Sequence, residues 1–301
     1  MPDAQIVLYG GQSNIMNGWI RKPPLAAVIL LLTIWGFSGT AAGDPLVQPT
    51  FAPFSDLLGG YLIEKTTAQG GLVSAFDYRG AMADAQAGTW LREQRRRLAR
   101  FDRSALTTRE QAIAFWTNAY NFFMVAHILD NPKGDRPVSG VKDYGSLFNP
   151  YRVFRQKLFD VGGELVSLDQ IEKQILLGED FEQRGWKDAR VHFAVNCASV
   201  GCPPLRRQIY LPGNVDDMMT ENTRMAFNTP RHLRQEGTVL HVTQLFEWYA
   251  DDFAEAAGSF EAFIRQYADP ATRAQLKDAV DIRFIDYDWR LNTPENFPEL
   301  R

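Results

Sequence analysis

The feature that most constrains the fold is the stretch Ala112 to Leu129, AIAFWTNAYNFFMVAHIL, which is apolar almost all round. A surface helix keeps one polar face, so a helix of this composition must be buried on most sides. Thr107 and Glu110 have the spacing of a capping box at its start, and Asn131 with Pro132 ends it. We therefore predict a long helix at the centre of the domain.

The rest of the chain mixes short strands with many helices and lacks a regular strand-helix-strand rhythm. This pattern predicts an α+β fold, a helix-rich single domain whose buried central helix packs on a small antiparallel or mixed sheet. The further predicted helices are Phe54–Thr66, Ala83–Phe101, Leu168–Leu177 (capped by Ser167 with Gln170), Val215–Phe227, Phe260–Tyr267 and Ala271–Ala279. The predicted strands are Leu72–Tyr78, Val191–Val195, Val239–Val242 and Ile282–Ile285, with a hairpin over Tyr151–Val166.

Composition and charge exclude several classes of function. The 301 residues are 45% hydrophobic, which suits one large globular domain or two modest ones, and the net charge of -4 comes from interspersed acids and bases. The one basic block, Leu91–Arg100, is typical of a solvated helix face, so we expect no nucleic-acid partner. No phosphate loop, dinucleotide fingerprint or H-E-x-x-H pair occurs, and we expect neither a cofactor nor a metal.

The N-terminal residues 1–43 have the layout of a signal peptide behind a short polar extension. Arg21 and Lys22 precede the apolar run Leu25–Phe37, and the small residues SGTAAG follow it. The apolar run is too short to cross a bilayer as a helix, so we expect no stable membrane anchor. The sequence thus predicts a periplasmic or secreted protein, with a helical part over residues 44–106 and a main domain over 107–301.

Both cysteines lie in the stretch Arg190–Tyr210, RVHFAVNCASVGCPPLRRQIY. A strand at Val191–Val195 followed by a turn would place the Cys197 thiol beside the His192 imidazole, an arrangement that suits nucleophilic catalysis. In an oxidising compartment Cys197 and Cys202 can instead form a disulfide. Both alternatives remain open from the sequence.

Polar residues elsewhere are candidates to support this pair. Asn118 and Asn121 share one face of the central helix, with Tyr120 close by, and either tie down loop backbone or orient a catalytic group. Glu172 either orients His192 or is a solvated helix residue. Of the other histidines, we expect His127 to be a helix-end partner, and His232 and His241 to lie on the surface.

Four motifs in order carry a resemblance to a known family. They are HFAVNC with GCPPLR and a following Tyr, AFWTNAYN at Ala114–Asn121, VSLDQIEKQIL at Val166–Leu176, and FIDYDWRLN at Phe284–Asn292. Over about Thr107 to Asn292 the chain resembles the domain of unknown function 547 family (DUF547). The resemblance implies a distant likeness to papain-like or transglutaminase-like cysteine enzymes. The family's IE pair is usually followed by His, and here Lys173 stands at that position.

Two functions follow as hypotheses. The first is an exported cysteine hydrolase or acyltransferase that acts on a peptide or amide-type substrate. In it Cys197 attacks a carbonyl, His192 is the base, and Glu172 or Asn118 orients the imidazole. Its expected binding residues are Asn121, Tyr120, Asn196 and Tyr210. The second is a non-catalytic periplasmic binding or scaffold domain with a Cys197–Cys202 disulfide.

The signal peptide leads to a direct prediction. We expect the exported chain to begin near Gly43 or Asp44, because the basic, apolar and small-residue segments stand in the order that a signal peptidase requires. N-terminal sequencing of the exported protein checks this, and recovery of Met1 would contradict it.

Overall fold

The computed structural model describes residues 44–276 and 281–301, so the predicted signal peptide and the end of the predicted helix Ala271–Ala279 lie outside the described residues. The described part contains these α-helices: α1 Val47–Thr50, α2 Ala52–Tyr61, α3 Tyr78–Ala83, α4 Ala85–Ala99, α5 Arg109–Asp130, α6 Arg152–Arg155, α7 Glu179–Gln183, α8 Val215–Phe227, α9 Leu245–Trp248, α10 Ala250–Ala257, α11 Phe260–Tyr267 and α12 Pro270–Gln275. A π-helix spans Gln170–Leu176, and short 3₁₀ turns include Ala189–Phe193. Among these helices, none is long and apolar enough to cross a membrane.

The strands form three small sheets. They are β1 Leu62–Thr66 with β2 Leu72–Phe76, β3 Phe159–Val161 with β4 Glu164–Val166, and β5 Leu233–Glu236, β6 Val239–Thr243 and β7 Asp281–Ile285. The first two sheets are antiparallel hairpins. In the third, β6 pairs antiparallel with β5 and parallel with β7. Small sheets beside many helices confirm the predicted α+β class.

The central helix α5 is buried as predicted, with every residue from Ala112 to Ala126 inaccessible. It packs mainly against α1, α3, α8 and the π-helix, and it contacts β3 through stacked rings of Phe123 and Phe159 whose centroids are 4.7 Å apart. Its capping box is Thr108 with Gln111, one residue later than the predicted Thr107 with Glu110. The shift occurs because Thr108 has extended backbone angles and the helix begins only at Arg109.

The N-terminal part of the domain shares the core of α5. Phe51 packs edge-on to Phe115, and Phe54 packs edge-on to Phe122, with centroids 5.3 and 5.6 Å apart. The predicted helix Phe54–Thr66 is correct only as far as Tyr61. Residues 62–66 instead form β1, since their backbone pairs with β2 from Leu62 opposite Phe76 to Thr66 opposite Leu72.

Two further predictions need correction. The hairpin expected over Tyr151–Val166 is shorter, because residues 152–155 form α6 and only β3 and β4 pair around the turn at Gly162 and Gly163. The strand expected at Val191–Val195 is wrong, because residues 189–193 form a 3₁₀ turn in which the Asp188 carboxylate accepts a hydrogen bond from the Arg190 N–H. Both faces of this turn are buried, and a short apolar run that is buried on both sides fits a strand or a helical turn equally well.

Two buried amides of α5 hold the backbone of the cysteine-containing segment. Asn118 donates to the Tyr210 carbonyl at 2.6 Å and accepts from the Tyr210 N–H at 2.9 Å. Asn121 donates to the Ala194 carbonyl at 3.0 Å and accepts from the Asn196 N–H at 2.8 Å. Each side-chain amide thus makes the pair of hydrogen bonds that a neighbouring strand would make, and it holds the cysteine-containing segment against α5. We call these two contacts the amide latches.

These latches predict a stability effect. Asn118→Ala and Asn121→Ala should each lower the free energy of unfolding by about 1–3 kcal/mol, because each leaves a buried N–H and a buried C=O without a partner. Urea unfolding of the two variants measures this. Asn149→Ala is the control, since its backbone rather than its side chain carries its hydrogen bonds. Midpoints equal to that of the control would contradict the latch.

Candidate functional site

A cleft of about 330 Å³ opens where six segments of the chain meet. They are α5, the region of α6, the π-helix, the segment around His192 and Cys197, the region of α9, and the turn after β7. Its walls combine charged, aromatic and sulfur-containing side chains, including Tyr120, Tyr151, Glu172, Lys173, His192, Cys197, Cys202, Trp248, Tyr249, Tyr287 and Trp289. The structure therefore brings together four of the residues predicted from the sequence, Cys197, His192, Glu172 and Tyr120.

His192 lies in the wall between two carboxylates, and its side chain has no exposed surface. Nε2 is 2.9 Å from Oδ2 of Asp252, a hydrogen-bond distance, and Nδ1 is 3.7 Å from Oε1 of Glu172. The imidazole ring stacks on Tyr249 with centroids 3.9 Å apart. Burial by itself lowers the pKa of His192, but Asp252 and Glu172 outweigh burial and raise that pKa above its ordinary value. This geometry favours a charged imidazolium.

The pKa values of the two carboxylates shift in the direction opposite to that of His192. Burial raises the pKa of Glu172 and of Asp252, but the nearby His192 charge dominates and lowers both below their ordinary values. Lys187 adds to this at Asp252, with Nζ 3.0 Å from Oδ1. Burial and the Glu172 charge raise the pKa of Tyr249, so its hydroxyl stays protonated. We call Glu172, His192 and Asp252 the charged triad.

Cys197 and Cys202 are joined by a disulfide bond. The hydroxyl groups of Ser199 and Tyr287 each lie 3.1 Å from Sγ of Cys197. In this state Cys197 is not a free nucleophile. Both nitrogens of His192 face the carboxylates, and among the described residues no hydrogen bond joins His192 to Cys197.

The loop between the cysteines is held by the motif that closes the domain. The N–H groups of Val200 and Gly201 donate to the carbonyls of Arg290 and Asp288, both at 2.9 Å. A Cβ at position 201 would lie 3.0 Å from the Asp288 amide nitrogen, so a side chain there would force the Tyr287–Asp288 segment to shift by a few tenths of an ångström. The contacts join the GCPPLR motif to the FIDYDWRLN motif in the folded domain.

Several candidate residues serve the backbone rather than the cleft. Asn118 and Asn121 bind the backbone of the cysteine segment, so neither orients His192 here. Asn196 donates to the Pro203 carbonyl at 2.7 Å and accepts from the Ala198 N–H at 2.9 Å. Tyr210 is buried and does not line the cleft. Their positions support structural roles in place of the expected catalytic role of Asn118 and the expected binding roles of the other three.

The remaining acid and the other histidines also differ from simple surface residues. Glu172 is only 6% exposed, which rules out a solvated helix residue. His232, expected on the surface, is 2% exposed, and burial with the charge of Arg231 lowers its pKa to about 3. His127 is in the last turn of α5, where its carbonyl accepts from the Asn131 side chain at 2.9 Å.

Sequence reasoning missed Asp252, Tyr249, Trp248 and Tyr287. Their motifs, FEWYADDF and FIDYDWRLN, are visible in the sequence, but no periodicity links them to a turn so far away along the chain. Among residues 44–276 and 281–301, no group of His, Cys, Asp and Glu side chains is placed to hold a metal ion.

The charged triad predicts a specific dependence of stability on pH. The contribution of His192 is fully present below its unfolded pKa of about 6.5 and is lost as pH rises through the raised pKa of the folded state. The carboxylates act oppositely, since their pKa values are lowered and their contribution is lost only in acid. His192→Gln should abolish the decline above pH 6.5 and cost about 3–5 kcal/mol at pH 6, because it leaves Glu172 uncompensated.

Urea unfolding at a series of pH values from about 5 to 9, which includes the ordinary histidine pKa of about 6.5, measures this dependence of stability on pH. His241→Gln is the matched control, since His241 lies at the partly exposed surface of β6, 3.5 Å from Glu236. A profile for His192→Gln that runs parallel to that of the unsubstituted chain would contradict the charged triad.

Comparison with known proteins gives one match. Residues 104–225 match the family model described as "Protein of unknown function, DUF547". No curated protein and no solved structure matches the chain. The matched range contains α5, Glu172, His192 and both cysteines, whereas Asp252 and Tyr287 follow it. This match supports the assignment of residues 104–225 to the DUF547 family, whose description assigns no activity.

Proposed function

We propose that this protein is an exported binding domain whose cleft takes a ligand that contains amide groups, such as a peptide. The observation that carries the proposal is the unused hydrogen-bonding capacity of a buried charged group in the cleft wall. Nδ1 of His192 is buried and, among the described residues, has no hydrogen-bond partner. A buried polar atom without a partner costs about 1–3 kcal/mol, which a bound ligand would recover.

A ligand amide group contains both of the hydrogen-bond partners that His192 and Glu172 lack, an acceptor and a donor. The Nδ1–H of a charged His192 can donate to a carbonyl oxygen, and the carboxylate of Glu172 can accept from an N–H. The 3.7 Å between the two groups is too long for a good direct hydrogen bond. A ligand amide would bind both groups at once, after a small shift of the side chains that cover the buried Nδ1.

The aromatic residues that line the cleft supply apolar contact area. Tyr287 packs against Trp248 and Trp289, with ring centroids 4.8 and 4.6 Å away, and Tyr151 packs against Trp289 at 4.9 Å. Trp248 is 43% exposed. Lys142 lies over the Trp289 ring, 4.9 Å from its centroid. These preformed contacts fix the rings, so a ligand side chain can stack on them at small cost in conformational entropy.

A second candidate is the cysteine hydrolase or acyltransferase. It is favoured by the presence of Cys197, His192 and Glu172 in one cleft. Its chemistry would require reduction of the disulfide and a turn of His192 toward Cys197, because both ring nitrogens now face the carboxylates of Asp252 and Glu172. The binding function requires neither change, which is why we place it first.

Export is part of the same proposal. Arg21, Lys22 and the apolar run Leu25–Phe37 support a signal peptide. A disulfide between Cys197 and Cys202 is compatible with the oxidising periplasm or cell exterior. We infer no nucleic-acid partner and no stable membrane anchor for the mature chain.

The binding proposal predicts the effect of two substitutions. The probes are N-acetylated, C-amidated tetrapeptides with an aromatic or aliphatic side chain, and quenching of tryptophan fluorescence or calorimetry reports binding. Trp248→Ala should weaken binding about tenfold by loss of stacking, and Glu172→Gln should weaken it by removing a charged acceptor. Phe284→Ala is the control, because this exposed aromatic residue on β7 does not line the cleft.

Equal affinities for Trp248→Ala and the control, or no binding by any peptide of the panel, would contradict the proposal. Hydrolysis of peptide anilides by the reduced chain, abolished in Cys197→Ser, would instead favour the second candidate.

A further inference from the structure

The two cysteines of the disulfide differ in exposure. Cys197 is partly exposed, whereas Cys202 is buried and only 7% exposed, and both residues line the cleft. This difference favours attack by an incoming thiolate at the more exposed residue, Cys197. In thiol–disulfide exchange, access decides in part which sulfur is attacked.

The hydrogen-bond donors around the two sulfurs are also unequal. Sγ of Cys202 lies 2.9 Å from the Cys197 backbone N–H, 3.0 Å from the Tyr287 hydroxyl and 3.4 Å from the Ser199 hydroxyl. Sγ of Cys197 has only the two hydroxyls, each at 3.1 Å. Each hydroxyl has one proton and can serve one sulfur at a time. The backbone N–H of Cys197, in contrast, donates to Sγ of Cys202.

This asymmetry favours negative charge on Cys202 once the sulfur–sulfur bond opens. A thiolate that accepts a backbone N–H and a hydroxyl hydrogen bond is a better leaving group than one without them. Tyr287 is able to donate, because burial raises the pKa of its hydroxyl well above neutral pH.

We propose that Cys197–Cys202 is a redox-active disulfide that oxidises dithiols entering the cleft, with Cys197 as the attacked sulfur and Cys202 as the leaving thiolate. The first substrate thiolate attacks Sγ of Cys197, a mixed disulfide forms, and the electron pair of the broken bond goes to Sγ of Cys202. The second substrate thiolate then attacks its own partner sulfur and releases Cys197. Two electrons and two protons pass from the dithiol to the protein, and the substrate leaves as a disulfide.

The surrounding loop is suited to reversible exchange. Its backbone is bound to residues 288–292 through Val200, Gly201 and the Ala198 carbonyl, which accepts from the Asn292 N–H at 3.1 Å. None of these bonds involves a sulfur atom. The two thiols therefore stay close after reduction, and the pair can be oxidised again without refolding of the loop.

The test uses the full folded chain, with glutathione as a monothiol probe and dithiothreitol as a dithiol probe. Glutathione followed by acid quench and mass mapping should place the mixed disulfide on Cys197 and leave Cys202 as the free thiol. In Cys202→Ser, which has no disulfide, oxidised glutathione should form the same adduct on the free thiol of Cys197. Tyr287→Phe, which keeps the ring, should slow reduction by dithiothreitol roughly 3- to 10-fold, because one donor to the leaving thiolate is lost.

Tyr267→Phe is the matched control, since it makes the same chemical change on α11, outside the cleft. Circular dichroism verifies that each variant is folded. Ser199→Ala removes the more distant hydroxyl donor and should slow reduction by a smaller factor than Tyr287→Phe. Adducts on Cys202, equal adducts on both cysteines, unchanged rates in Tyr287→Phe, or reduction only under denaturing conditions would each overturn the proposal. Failure of peptide binding would leave these outcomes unaffected.

Discussion

The structure depends on the two amide latches between α5 and the cysteine segment. Asn118 and Asn121, one turn apart on the central helix, bind the backbone at Tyr210 and at Ala194 with Asn196. The segment they hold is irregular and buried, so its backbone polar groups would otherwise have no partners. Because the helix is rigid and buried, the latches fix where the imidazole and the sulfur atoms lie at the cleft.

The charged triad gives the cleft its chemical character. A buried histidine between two carboxylates is costly to assemble, since each charge must be removed from water before it is paired. The apolar packing of Tyr249 and Phe253 against the His192 ring keeps water away and strengthens the remaining interactions. In the same arrangement both ring nitrogens of His192 face carboxylates rather than Cys197, and this geometry separates the cleft from a thiol–imidazole catalytic pair.

The sequence predicted the parts of this site that depend on local pattern. The uniformly apolar stretch Ala112–Leu129 required a buried helix, and the spacing of its two asparagines placed them on one face. Three of the four motifs lie within residues 104–225, the range that matches the family model, whereas FIDYDWRLN follows it. By contrast, the partner of His192 comes from α10, and no local pattern encodes that contact. The turn at residues 189–193 was mistaken for a strand because an apolar run buried on both sides fits either structure.

The central claim is that His192 is held as an imidazolium by Glu172 and Asp252. The nitrogen-15 chemical shifts of the imidazole ring test it directly in the folded protein at neutral pH, with His192 assigned by comparison with His192→Gln. The account predicts that both ring nitrogens are protonated, because the pKa of His192 is raised by its two carboxylate neighbours. A histidine of ordinary pKa, about 6.5, is mostly neutral at neutral pH. A neutral His192 ring with one unprotonated nitrogen under these conditions would contradict the account.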